Sequence, residues 1–291
     1  MIQIVTDSGA NLPLHVREQY HLIVVPLYVI FGAKSYRDEI DLNNDEFHYK
    51  LHHEKVHPTT STPAPADFIH AWRPVLEAGN EIVSLHISGK LSATFATAQN
   101  AKKQIDAEFG GNAPITLVDS NSVSMAMGLQ AIEGARAVRA GKSREEVAAA
   151  MLALNSRMRL VFLLDTLEYL RRGGRIGHAQ AFIGGVFSIK PLLQIADGLV
   201  EPLERSRSMK AGMARLIDLI NNPPAIHGVA PKGNGAIHAT VLHAAYPEGA
   251  DYLENEVRAR FNVAEFYKGT IGPVIAVHTG PKAVGLAFYR D

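Results

Sequence analysis

The sequence predicts an α/β chain of two domains. The first, residues 1–158, is an N-terminal parallel-sheet α/β domain. The second, residues 159–291, is a C-terminal α+β domain with a mixed or antiparallel sheet. Three observations carry this. The length of 291 residues suits about two domains, each able to bury a core. Apolar strands and helices alternate through the first half, the pattern of a parallel sheet. Hairpin signals and helices mix in the second half, where Asp197-Gly198 stands between two short strands.

The elements follow in order. Residues 2–6 are a short strand that Asp7-Ser8-Gly9 ends as a turn, and Pro13 opens a helix to about Tyr20. Residues 22–30 form a second apolar strand. Asn43 or Asn44 caps a helix over 45–53, with Asp45 and Glu46 in its first turn. A loop rich in His, Thr, Ser and Pro spans 54–65, and a helix over 66–78 stops at Gly79. A buried strand over 81–87 breaks at Gly89, and small residues from Ser92 continue as a helix. Residues 115–118 are a strand ending in Asp119-Ser120, followed by a helix over 124–140. Ser143 and Glu146 form a capping box for the next helix, to about Met158. The second half opens with a strand over 160–164 and an amphipathic turn that ends at Gly173-Gly174-Arg175-Ile176-Gly177. Residues 182–193 are almost wholly apolar. Helices over 208–220 and 247–261 and strands over 237–243, 263–267, 274–277 and 284–288 complete the chain.

Composition narrows the function. Hydrophobic residues make up 47% and charged residues 20%, as in ordinary globular proteins. Basic and acidic residues balance at 29 each with no basic stretch, which argues against nucleic acid. The absence of cysteine removes disulfides, thiolate metal sites and cysteine nucleophiles, and favours a cytoplasmic location. No signal peptide and no bilayer-spanning apolar run are evident. His53-Glu54-Lys55-Val56-His57 matches the zinc pattern H-E-x-x-H, but Pro58 disfavours helical geometry at His57, so no metal site is expected. Gly141-Lys142-Ser143 resembles the end of a phosphate-binding loop, yet Arg136 stands where that motif needs glycine.

Four stretches carry candidate chemistry: the hydroxyl-dense loop Thr59-Thr60-Ser61-Thr62-Pro63, the helix start from Ser88 to Thr94, the glycine turn around Arg175, and His278 leaving an apolar strand before Thr279-Gly280-Pro281. Hydroxyls, helix N–H groups, a guanidinium and an imidazole together suit a carboxylate or phosphate. Three strand ends bear hydroxyls, Thr6-Asp7-Ser8, Ile87-Ser88 and Asp119-Ser120, and in an open α/β sheet such ends face the ligand crevice. The same residues are also ordinary turn formers. The apolar run 182–193 suits either the wall of a cavity for an apolar tail or a plain buried segment. No nucleophile with an evident base occurs.

In this order and spacing the motifs resemble the DegV family, bacterial fatty-acid-binding proteins that serve fatty acid kinase. The residues that carry the likeness are Thr6-Asp7-Ser8, Thr60-Ser61-Thr62-Pro63, Leu91-Ser92-Ala93-Thr94-Phe95, Val118-Asp119-Ser120, Leu170-Arg171-Arg172-Gly173-Gly174-Arg175-Ile176, Lys190-Pro191-Leu192 and His278-Thr279-Gly280-Pro281. The resemblance implies a fatty acid held in a tunnel between two domains. Its carboxylate is gripped near Thr60 and Ser92, close to His278, and its chain enters the second domain. The implied ligand-binding set is Thr60, Ser61, Ser92, Ala93, Thr94, Ser120, Phe187, Ile189, His278 and Thr279, with Arg175 near a partner-facing surface. The implied partners are a long-chain fatty acid and the ATP-binding subunit of a fatty acid kinase, which makes acyl-phosphate for phospholipid synthesis. No cofactor, metal or catalytic residue is implied. The chain departs from the family's usual residues at Gly89, Ala93, Phe95 and Lys282. The alternative reading is an enzyme, a hydrolase or phosphotransferase, acting on a small anion at the strand ends.

Overall fold

The computed structural model describes residues 1–54, 56–183, 189–226, 228 and 235–291. Its N-terminal elements are β1 (Ile2–Asp7), α1 (Leu14–Tyr20), β2 (Ile23–Val25), β3 (Tyr28–Phe31), β4 (Lys34–Arg37), α2 (Asn44–His53), β5 (Thr59–Ser61), α3 (Pro65–Glu77), β6 (Glu81–His86), α4 (Thr94–Glu108), β7 (Ile115–Asp119), α5 (Ser124–Arg139) and α6 (Arg144–Arg157). The sequence explains several boundaries. Asn43 caps α2 and Ser143 caps α6, each closing a capping box with Glu46 or Glu146. Four strands form a wholly parallel sheet in the order β2-β1-β6-β7, as the strand–helix alternation predicts.

Two expectations fail here for one reason. The single strand predicted over 22–30 is split at Pro26, which has no N–H to extend a ladder. β2 stays beside β1, while β3 leaves to form a small antiparallel sheet, β4-β3-β5. β4 lies where no element was predicted, and the predicted loop over 54–65 supplies β5.

The C-terminal elements are β8 (Arg159–Leu163), α7 (Glu168–Arg172), a 3-10 segment (Gly177–Phe182), β9 (Lys190–Ala196), β10 (Leu199–Ser206), α8 (Met209–Asn221), β11 (Ile237–His243), α9 (Pro247–Arg260), β12 (Val263–Thr270), α10 (Pro273–Thr279) and β13 (Val284–Arg290). The six strands make one mixed sheet, β10-β9-β8-β13-β11-β12, in which only β11 and β12 run parallel. Asp197-Gly198 makes the β9–β10 hairpin with both residues at positive φ, 51° and 75°.

The stretch 274–277, expected as a strand, is the body of helix α10. A four-residue apolar run does not distinguish the two structures. Gly272 and Pro273 supply the helix start, and the Val274 N–H is capped by Asp38 Oδ1 at 3.1 Å. That cap comes from the loop after β4, so a residue far away in sequence decides the element.

The layers stack in a fixed order. Val5, Phe68, Trp72, Ile82 and Ile105 pack α3 and α4 on one face of the parallel sheet. Its other face, with α5 and α6, meets the inner face of the six-stranded sheet in one continuous core that includes Leu85, Met127, Leu160 and Tyr289. α8 and α9 cover the outer face, over Val161, Leu163, Val241 and Leu286. The odd–even alternation along β8 thus separates an inward row, Leu160, Phe162 and Leu164, from an outward one.

Candidate functional site

A cavity opens in the middle of this stack, between the carboxyl ends of the parallel strands and the inner face of the six-stranded sheet. Ile87 and Leu91 line it from the β6–α4 turn, Leu27 from the β2–β3 link, and α10 with β8, β11 and β13 close the far side. The register of the mixed sheet sets depth. Ala283 lies just past α10. Gly285 stands beside Phe162 and Leu242 in the next row, and Ala287 stands beside Leu160 and Thr240 in the deepest, with Ile195 paired to Leu160. Small residues on β13 leave the space that larger ones would fill.

One end of this apolar space is polar. Thr60 on β5 and His278 on α10 meet there, with Thr60 Oγ1 3.0 Å from His278 Nε2. Burial holds the His278 imidazole down at about 4, helped by the nearby Arg175 guanidinium and His57, so the ring is neutral at neutral pH. Nδ1 has no hydrogen-bond partner among the described residues and abuts Gly173, where an added Cβ would lie 2.1 Å from it. A buried N–H without an acceptor is costlier than a lone pair without a donor. The proton is therefore assigned to Nε2, which donates to Thr60 Oγ1 and leaves the Thr60 hydroxyl proton free to point into the cavity.

Ser92 stands across from this pair. Its Oγ accepts from the Thr94 N–H at 3.3 Å and lies 2.8 Å from Thr94 Oγ1. Arg175 is exposed at the rim, its Nε donating to the Leu91 carbonyl at 3.1 Å and its Nη1 to the Gly173 carbonyl at 2.7 Å. Both bonds hold the guanidinium at the rim of the cavity, and among the described residues they use two of its five N–H groups. Thr279 completes the polar end.

The turn before α4 satisfies its own N–H groups, whereas the first-turn N–H groups of Phe95 and Ala96 have no side-chain cap. The N–H groups of Gly89, Lys90, Leu91, Ser92 and Thr94 all have acceptors within the turn or on Asp119. The strand-end serines are engaged, since Ser8 Oγ accepts from Leu27 N, Ser88 Oγ donates to the Gly198 carbonyl and Ser120 Oγ donates to the Ser122 carbonyl, while Thr6 Oγ1 is buried with no partner among the described residues. The strand ends do converge, but they contribute apolar wall rather than donors.

The predicted residues therefore divide. Thr60, Ser92, Arg175, His278 and Thr279 line one cavity. Ser61 faces away on β5 with its hydroxyl on the Thr62 carbonyl, Ala93 is exposed, and Thr94 is buried behind Ser92. Ser120 is buried within its own turn. Ile189 and the other described residues of the apolar run 182–193 do not line the cavity, and Phe187 lies outside the described residues. Sequence reasoning missed Ser124, Thr240 and the inward rows of β8, β11 and β13. Their signal is a period of two, dispersed over three strands.

A Ser–His–Asp array does exist elsewhere. Asp7 Oδ2 lies 3.1 Å from His86 Nδ1, and His86 Nε2 lies 2.8 Å from Ser84 Oγ, which accepts from Trp72 Nε1 at 3.2 Å. All four side chains are fully buried. Ser84 and His86 face α3, opposite the core face of Val83, Leu85 and Ile87, and are fully buried, so no substrate can reach the hydroxyl. Among the described residues no group of three or more His, Cys, Asp or Glu could hold a metal, and no helix is long and apolar enough to cross a membrane. His53 closes α2 and Glu54 beyond it is extended, so the H-E-x-x-H stretch does not lie on one helix.

The neutral state of His278 has a measurable signature. Its unfolded form takes a proton near its ordinary value of 6.5, while the folded form resists until about 4. Between those values the unfolded chain binds more protons, so stability rises with pH, and the gain is lost as pH falls. His278→Gln is expected to remove this dependence, by up to ~3 kcal/mol across the window. Urea unfolding of both proteins at pH 4.5 and 7 checks it. Parallel curves would mean that the ring titrates normally.

Known proteins resemble this chain along its whole length. A family model described as an uncharacterised protein of the DegV family matches residues 1–291. A DegV domain-containing protein of Deinococcus radiodurans is 37% identical over 98% of this chain and 97% of its own. A solved structure described as fatty acid binding of a DegV family protein from Thermus thermophilus has a TM-score of 0.90 at 34% identity, covering 100% of this chain and 99% of that one. Another, described as DegV, a fatty acid binding protein from Bacillus subtilis, has a TM-score of 0.86 at 30% identity, with the same coverage.

Proposed function

The chain belongs to the DegV family, and from that premise we propose that it is a cytoplasmic carrier, without catalysis of its own, that binds a long-chain fatty acid between two domains, residues 1–158 and 159–291, and presents the carboxylate to the ATP-binding subunit of a fatty acid kinase. One observation carries the reading: an apolar cavity whose single polar end gathers the Thr60 hydroxyl, the Ser92 hydroxyl, the neutral His278 ring and the Arg175 guanidinium. Hydroxyl donors with one rim cation match a carboxylate. Burial of each CH₂ contributes about 0.8 kcal/mol, so a long chain binds tightly without a second charge pair. Mass spectrometry of the purified protein after denaturing extraction tests it. Stoichiometric fatty acid is expected, and a protein free of lipid that also fails to bind added palmitate would overturn the reading.

Presentation has its own test. Arg175 is exposed and held by two carbonyls, where it can meet an acidic partner surface or developing phosphate charge. Arg175→Ala is expected to keep fatty acid affinity within about threefold, the loss of one screened rim contact. It should lose most acyl-phosphate formation with the kinase, ATP and Mg²⁺. Unchanged turnover would remove Arg175 from that step.

A further inference from the structure

Thr240 occupies the deepest row of the cavity, beside Ala287 and in line with Leu160 and Ile195. It is fully buried, and its Oγ1 has no hydrogen-bond partner among the described residues. The other cavity hydroxyls differ: Thr60 is paired with His278, Ser92 with Thr94, Thr279 donates to the Gly280 carbonyl at 3.5 Å, and Ser124 donates to Asn11 Oδ1 at 3.0 Å. Nor does the neighbouring strand offer a partner, since the Tyr267 hydroxyl beside it donates to Glu265 at 2.5 Å. A buried hydroxyl without a partner is destabilising where valine, of the same shape, would not be. The packing of an apolar tail gives no reason for it.

The depth of Thr240 identifies what would meet it. From Ala283, just before β13, to Ala287 within it is four residues, about 13 Å at the rise of an antiparallel strand. A staggered hydrocarbon with bonds of ~1.5 Å advances roughly 1.3 Å per carbon, so this level lies near the tenth carbon of a bound acid. We infer that the cavity is built for a long-chain acid carrying an oxygen near mid-chain, a hydroxy or oxo fatty acid, whose oxygen bonds Thr240 Oγ1. The inference rests on the fatty acid reading and specifies its substrate class. A threonine hydroxyl both donates and accepts, so it serves either oxygen function.

The test is a displacement titration with octadecanoic, 10-hydroxyoctadecanoic and 2-hydroxyoctadecanoic acids on delipidated protein. The parent chain is expected to bind the 10-hydroxy acid about tenfold tighter than octadecanoic acid, the size of one added buried hydrogen bond. The 2-hydroxy acid, whose oxygen stays at the mouth, should show no gain. Thr240→Val should erase the 10-hydroxy preference while binding octadecanoic acid at least as tightly. A parent chain that prefers octadecanoic acid overturns the inference whether or not the variant folds, and so does a Thr240→Val protein that keeps the preference. Failure of the parent chain to bind any of the three acids would overturn the fatty acid reading along with it.

Discussion

Thr60→Val combined with Ser92→Ala is expected to reduce fatty acid affinity by two orders of magnitude or more, with folding intact. Each hydroxyl is positioned to donate to a charged acceptor, and such a bond contributes roughly 1.5–3 kcal/mol. Thr60 Oγ1 already takes the His278 Nε2 proton, so its own proton has nowhere better to go than a carboxylate. The same interaction can be broken without touching either hydroxyl. Gly173 has an ordinary negative φ of −77°, so alanine fits the backbone, but its Cβ would overlap His278 Nδ1 at 2.1 Å. Gly173→Ala must therefore turn or push the ring, and should lower affinity about tenfold by disordering Thr60. Titration with a fluorescent fatty acid measures both. A double variant that binds like the parent would place the carboxylate elsewhere.

Asp7→Ala is expected to cost on the order of 4 kcal/mol of stability, a large share of what a domain has. The Asp7 carboxylate is fully buried and accepts from Gly9 N at 3.0 Å, Ile87 N at 3.0 Å and His86 Nδ1 at 3.1 Å. Its removal strands three donors in a dry core next to Trp72 and Phe68, each worth about 1–3 kcal/mol unmade. Equilibrium urea unfolding at pH 7 reads the loss. A change under 1 kcal/mol would mean that water or rearrangement satisfies those groups. The effect should stay on stability: Ser84 and His86 lie on the α3 side of the sheet, so the folded fraction still binds lipid.

The legible parts of this protein were those decided locally. Asn43 with Glu46, Ser143 with Glu146, and Asp197-Gly198 each specify an element boundary through neighbours in sequence, and each stands as expected. The parallel sheet followed from alternation alone. Val274-Ile275-Ala276-Val277 was misread because its helix is completed by Asp38, 236 residues earlier. The polar end was found because Thr60, Ser92 and His278 sit in unusual stretches. Among the described residues, β8, β11 and β13 build the cavity wall from every second residue, which a search for a contiguous apolar run such as 182–193 does not find. Alternation in a strand with apolar residues on both faces leaves no contrast to read.

The place of β13 in the sheet bears on how the chain is made. It runs between β8 and β11, so five strands synthesised before it stand as two fragments, β10-β9-β8 and β11-β12, with no edge in common. At ribosomal rates, β8 waits on the order of ten seconds for its neighbour. The β8 edge that pairs with β13 stays open meanwhile, and the long sequence separation of the pair slows closure further. The cavity wall is thus complete only after residues 284–290 insert between the two fragments. Truncation before Val284 would yield two unjoined half-sheets instead of a smaller closed sheet.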